Sequence, residues 1–87
     1  MEFVLHQNYP NPFNPTTTIR FSLPQDSDIR LVVFDLLGRQ VQVLAEGGYT
    51  TGTYSVMLDG TNLASGVYLY QLEAGMQRLT GRMILMK

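Results

Sequence analysis

Asn8-Tyr9-Pro10-Asn11-Pro12-Phe13-Asn14-Pro15 runs straight into Thr16-Thr17-Thr18-Ile19-Arg20-Phe21-Ser22-Leu23, and the rest of the chain is organised around this pair of segments. The prolines Pro10, Pro12 and Pro15 lack backbone donors and hold φ at about −65°. The residues before them, Tyr9, Asn11 and Asn14, are driven out of the helical region toward extended geometry. The carboxamides of Asn8, Asn11 and Asn14 can bond nearby backbone groups and stiffen the segment further. Tyr9 and Phe13 are large enough to serve as two hydrophobic pegs. The reading is an ordered strap lying across one end of a β-fold. The strand that follows carries Thr17, Ile19, Phe21 and Leu23 on one face and Thr18, Arg20 and Ser22 on the other, the period-two pattern of a half-buried strand.

Outward from this pair, the same signals repeat. Phe3-Val4-Leu5 is a short apolar lead-in, expected as an edge strand. Pro24-Gln25-Asp26-Ser27 breaks the first long strand. In Asp28–Leu36, Ile29, Leu31 and Val33 share a face opposite Arg30, Val32 and Phe34, and both faces become apolar toward the end, as in a central strand. Asp35-Leu36-Leu37-Gly38 reads as a tight turn in which Gly38 is free to take positive φ. Arg39–Leu44 is expected as a strand with Val41 and Val43 in alternation. Glu46-Gly47-Gly48 and Thr50-Thr51-Gly52 bracket a loop, and Thr53–Leu58 places Tyr54, Val56 and Leu58 on one side. Asp59-Gly60-Thr61-Asn62 is a turn, and Leu63-Ala64-Ser65-Gly66 leads to Val67–Glu73. Ala74-Gly75 makes the final hairpin before Met76–Met86.

No helical periodicity of useful length occurs. Turn signals recur about every 8–12 residues, the spacing of a β-sandwich. The expectation is an all-β antiparallel β-sandwich of six or seven strands in two sheets. Residues 1–87 form one domain, with the opening strand and strap in 1–15 and the sandwich in 16–87.

Composition removes several classes of function. Eighty-seven residues with a net charge of −1 offer no basic field for nucleic acid or an acidic membrane, and no run of like charge. Cysteine is absent, so disulfides and thiolate metal sites are excluded. No apolar run approaches the roughly 20 residues that span a bilayer. Met1-Glu2-Phe3-Val4 lacks the basic and apolar regions of a secretory signal.

The residues give little support to catalysis. His6 is the sole histidine, and no serine sits on a nucleophile elbow, so a hydrolytic triad cannot be assembled from motifs. Asp26, Asp28, Asp35, Glu46, Asp59 and Glu73 are scattered, mostly at turns. There Asp35 and Asp59 are expected to cap backbone N–H groups. Asp59 with Asn62, or Asp26 with Asp28, could approach calcium, but EF-hand spacing is lacking. Gly47-Gly48 and Gly52 precede no helix and form no phosphate cradle. Tyr54, Tyr68 and Tyr70 could build an aromatic platform for sugar or single-stranded nucleic acid. Without a basic groove, packing within strands is the preferred reading. A non-enzymatic domain without cofactor is expected.

Four stretches together carry a family resemblance. Asn8–Ile19 resembles the opening signature of the C-terminal sorting domains of type IX secretion. Phe34-Asp35-Leu36-Leu37-Gly38-Arg39-Gln40-Val41 resembles that family's central strand–turn–strand. Asp59-Gly60-Thr61-Asn62-Leu63-Ala64-Ser65-Gly66-Val67-Tyr68-Leu69-Tyr70 is similar to its late turn and strand, and Arg82-Met83-Ile84-Leu85-Met86-Lys87 to its closing strand with a final lysine. Leu58 stands where the family often has tryptophan, and Arg82 where it often has lysine.

The resemblance implies an Ig-like sandwich attached to an upstream cargo and read by the outer-membrane translocon of a Gram-negative bacterium. It also implies a sortase-like surface protease that removes the domain and joins the cargo to an anionic lipopolysaccharide, leaving the product secreted or on the cell surface. A larger parent protein upstream of Met1 is expected on the same ground. The strap and the last hairpin, Val67–Lys87, are the candidate recognition surface. An exposed terminal edge could add a partner strand or form a weak homodimer. Alternatives are an Ig-like or fibronectin-like accessory module of an extracellular enzyme, acting as spacer or weak glycan binder, and an assembly module similar to the Ig-like part of flagellar hook-capping proteins.

Overall fold

The computed structural model describes residues 2–87. Among them seven strands form: β1 (Val4–Leu5), β2 (Thr16–Leu23), β3 (Ser27–Phe34), β4 (Gln40–Tyr49), β5 (Gly52–Asp59), β6 (Gly66–Ala74) and β7 (Gln77–Leu85). They pair antiparallel in two sheets, β1-β2-β5 and β4-β3-β6-β7. The all-β sandwich expected from the alternating pattern is therefore present, with β3 central in its sheet.

Period-two alternation decides which side chains meet in the middle. From the three-stranded sheet come Ile19, Phe21, Leu23 and Leu58; from the four-stranded sheet come Ile29, Leu31, Val33, Tyr70, Leu72, Met83 and Leu85. Each large apolar side chain removed from water in this way contributes roughly 1.5–3 kcal/mol. Leu58 is fully buried in this core. At one margin Phe21 stacks on Tyr54 with ring centroids 5.5 Å apart, and Tyr49 meets Tyr54 edge-on at 4.9 Å. The outer face of β3 is also apolar at Val32, which is buried against Val43 and Gln71 on the flanking strands.

β4 departs from its expected form. It continues through Glu46-Gly47-Gly48, read from the sequence as a loop, and ends at Tyr49. Its register with β3 slips twice. Leu31 faces Ala45 while Val32 faces Val43, leaving Leu44 extra; Val33 faces Gln42 while Phe34 faces Gln40, leaving Val41 extra. Each bulge resets the alternation. Leu44 and Ala45 therefore pack on the core, and Val41 and Val43 are exposed.

Between β1 and β2 the strap crosses one end of the sandwich, and its three prolyl peptide bonds are cis. Phe13 is the buried peg that was expected, but Tyr9 is 81% exposed. The register explains the difference. Tyr9 bridges Thr18, and Thr18 belongs to the outward set of β2; residues directly opposite in an antiparallel pair share a face. Its neighbour Asn8 consequently points inward and is the second anchor, only 2% exposed.

Candidate functional site: the strap and the closing strand

Asn8 shows how a polar anchor can be buried without penalty. Its side-chain N–H₂ donates to the Pro10 carbonyl at 3.1 Å and to Thr17 Oγ1 at 3.0 Å. Its side-chain oxygen accepts from Gln7 Nε2. Thr17, the polar member of the inward set of β2, donates in turn to the Pro10 carbonyl at 2.8 Å. Tyr70 closes the network from β6. Its hydroxyl donates to the His6 carbonyl at 2.8 Å and accepts the Asn8 backbone N–H at 3.0 Å. Burial pushes the Tyr70 hydroxyl above its ordinary pKa of 10.0, with the Asn8 N–H acting in the opposite direction. Among the described residues no buried side-chain polar atom lacks a partner, as a buried polar network requires.

Tyr70 reaches the strap because of what stands opposite it. Its cross-strand partner on β7 is Gly81, and a Cβ there would collide with the Tyr70 ring at Cζ and the hydroxyl. Gly81 is the gap through which the ring passes.

The strap then joins β7 itself. Phe13 N–H donates to the Ile84 carbonyl at 2.9 Å, and Met86 N–H donates to the Phe13 carbonyl at 3.0 Å. Ile84 N–H donates to Asn11 Oδ1 at 2.9 Å, and Gln7 Nε2 donates to the Arg82 carbonyl at 2.7 Å. The free terminal edge expected from the sequence is thus covered from Arg82 to Met86. The Asp59–Asn62 turn docks on the same end. Gly60 N–H donates to the Pro15 carbonyl at 2.8 Å, and a Cβ on Gly60 would lie 3.1 Å from Leu85 Cδ2 and 3.2 Å from Phe13 Cε2.

Lys87 is tied to this turn as well: its N–H donates to Ser65 Oγ at 3.0 Å and its ammonium to the Thr61 carbonyl. Asp59 is held below its ordinary pKa by the Thr61 hydroxyl, then by the Thr61 N–H and the Lys87 charge. Gly66 opens β6 opposite Leu85, and the Tyr68 hydroxyl donates to the Ala64 carbonyl at 2.6 Å. Pro12 and Asn14 face solvent on the strap.

Asn8–Pro15, Asp59, Gly60, Gly66, Tyr68, Tyr70, Arg82 and Lys87 therefore gather at one end of the sandwich. Asp35 and Gly38 form a separate, self-contained turn. Asp35 Oδ1 accepts the Leu37 and Arg39 N–H groups, both at 2.9 Å, and Oδ2 pairs with Arg39 Nε at 2.8 Å. Gly38 adopts φ 83°. The Arg39 N–H, foremost, holds Asp35 below the usual carboxylate range. Leu36 and Leu37 are presented at the tip, 66% and 78% exposed.

The remaining candidates do not converge. Tyr68 and Tyr70 are buried and Tyr54 packs on Phe21, so the three rings form no platform. Asp26 Oδ1 accepts the Thr51 N–H at 2.9 Å, and no group of three or more metal-ligating side chains occurs among the described residues. A depression of about 390 Å³ at the other end, beside Pro24, Asp26 and Gly75, is lined by Ser27, whose hydroxyl donates to the Gln25 carbonyl at 3.0 Å and not to a carboxylate. Sequence reasoning missed Thr17, Gln7, Gly81 and Ile84. Only Thr17 left a signal, as a hydroxyl in an otherwise apolar inward face.

The structure defines a strap-closed β-sandwich whose distinctive surface is built from its opening and closing segments, without a catalytic constellation among the described residues. A family model, the secretion system C-terminal sorting domain, matches residues 7–86. The chain belongs to this family, the C-terminal sorting domains of type IX secretion, which is a sorting-signal family and not a known catalytic one. Neither the comparison with curated proteins nor that with solved structures returned a match.

Proposed function

We propose that the surface made by the strap Asn8–Pro15, the Asp59-Gly60 turn and the closing stretch Arg82–Lys87 is the address read by the type IX translocon. In this reading the domain rides on an upstream cargo and directs it through the outer membrane. Release and attachment of the cargo at the surface of a Gram-negative cell fall to a sortase-like protease of the export machinery. One observation carries the reading: segments more than seventy residues apart, at Asn11 and Ile84, are joined by hydrogen bonds into one surface. A translocon serving unrelated cargoes needs such a fixed shape, and preorganisation lowers the cost of binding it.

The test is export of a fluorescent reporter fused upstream of residues 1–87, behind a signal peptide, in a host with type IX secretion. Removing Met83–Lys87 would delete core residues Met83 and Leu85 along with the strap's partners, so truncation mixes recognition with folding. Exposed strap positions separate the two. Tyr9→Glu with Asn14→Glu should abolish surface delivery while leaving the melting temperature within a few degrees, because surface changes generally stay within about 0.5 kcal/mol. Full export of that variant refutes the assigned surface. A folded parent domain that leaves the reporter in the periplasm favours the accessory-module alternative.

A further inference from the structure

Two sheets have four margins, and three of them are covered in part or interrupted. β1 is only two residues long, and beyond it the strap continues the pairing along β2 through His6 N–H to the Arg20 carbonyl and the Tyr9–Thr18 bridge. β7 is covered by the strap from Arg82 to Met86. β4 is broken by two bulges and carries Glu46 beside Gly47-Gly48, the features by which an edge resists pairing.

β5 has none of these protections. Its register with β2 is continuous from Gly52 to Asp59, without bulge or proline, and its sole charge stands at the last residue. Thr53, Ser55 and Met57 point outward, Met57 being 66% exposed, while the inward Tyr54 and Val56 are half-buried against the margin of the core. An eight-residue, regular, nearly uncharged edge is a template for a further strand.

We infer that β5 is a self-association edge: two copies of this chain pair β5 to β5, antiparallel, merging their three-stranded sheets into one of six strands. A two-fold axis through Ser55 sets Tyr54 against Val56 and Thr53 against Met57. An axis through Val56 sets Tyr54 against Leu58 and Ser55 against Met57. In either register Asp59 meets a threonine, Thr51 or Thr53, and never its own copy. The edge is therefore self-complementary, as an isologous interface requires. It presents no charge pattern by which to select a different partner, and at a net charge of −1 the copies barely repel. The inference is independent of the export reading.

Sedimentation equilibrium on the 87-residue chain tests it. The weight-average mass should rise with concentration from 9.8 kDa toward twice that value. Ser55→Glu with Met57→Glu places carboxylates opposite each other in both registers. It should weaken self-association by roughly tenfold with the circular dichroism spectrum retained. Within the monomer the carboxylate introduced in place of Ser55 would face Arg20, so folding is not disfavoured at that position. Ser55→Lys with Met57→Lys should weaken self-association likewise, and an equimolar mixture of the two variants should recover a dimer. Amide exchange should slow in β5 on association. A chain that stays monomeric into the millimolar range overturns the inference. So does an acidic variant that pairs as tightly as the parent, or protection that falls on β4 instead. Binding of an extended segment of an export component along β5, with the chain itself monomeric, would overturn it in favour of that partner.

Discussion

Gly81→Ala sets two physical effects against each other. Replacing glycine in a strand reduces the entropy of the unfolded chain and ordinarily stabilises by about 0.4–1 kcal/mol. At Gly81 the added methyl group falls on the Tyr70 ring, which cannot swing away without releasing the His6 carbonyl and the Asn8 N–H. Overpacking of this kind costs about 1–3 kcal/mol, and each hydrogen bond given up adds roughly 1 kcal/mol. The net expectation is a destabilisation of about 2–3 kcal/mol. For a domain of this size that lowers the melting temperature by roughly 10–20 °C. Urea unfolding should show an earlier midpoint with an unchanged slope. The decisive arm is a double-mutant cycle with Tyr70→Leu. With the ring removed, Gly81→Ala should become neutral or stabilising, giving a coupling of about 2 kcal/mol. Equal costs in the two backgrounds, or a stabilised single variant, would refute the account of why Gly81 is there.

Other consequences can be checked in the same way. Phe13→Ala should cost about 3–5 kcal/mol. Native-state exchange should show first the loss of protection at the Met86 amide, which donates to Phe13, and at the Ile84 amide, which donates to Asn11 on the same strap. Tyr70 has a raised pKa, so the unfolded chain ionises before the folded one and stability should fall as pH rises above about 10. Tyr70→Phe should lack that part of the alkaline loss, while being less stable at neutral pH through its missing hydroxyl. Asp35 has a lowered pKa, so its contribution is present above the ordinary value of 3.8 and is lost as pH falls through the folded value. In Asp35→Asn, acid titration of the turn, followed by the Leu37 and Arg39 amide shifts, should disappear.

The strands that carry no extra residue of their own were legible directly. β2, β3 and β5 each keep one inward set from end to end, so alternation alone assigns their faces. The caps at Asp35 and Asp59 were legible because an aspartate opening a turn has donors close by along the chain. Legibility ended where a neighbour decides. The bulges of β4 reset its alternation in response to β3, and nothing within Gln40–Tyr49 marks them. Hydrophobicity favoured Tyr9 as an anchor over Asn8, but pairing with Thr18 turned the ring outward and the carboxamide inward. The role of Gly81 depends on Tyr70, eleven positions earlier, and becomes visible only once the β6–β7 register is known.

The strap has a consequence in time as well as in space. Gln7 and Asn11 bond to Arg82 and Ile84, 75 and 73 positions later. At synthesis rates of about 5–20 residues per second, the first of these residues waits roughly 4–15 s for its partner to be made. A nascent chain halted anywhere before Arg82 has the prolines, Phe13 and β2, but lacks Ile84 and Met86, to which Phe13 bonds. The finished surface therefore forms only once translation has reached the closing strand, and its presence records that the chain is made through to Met86.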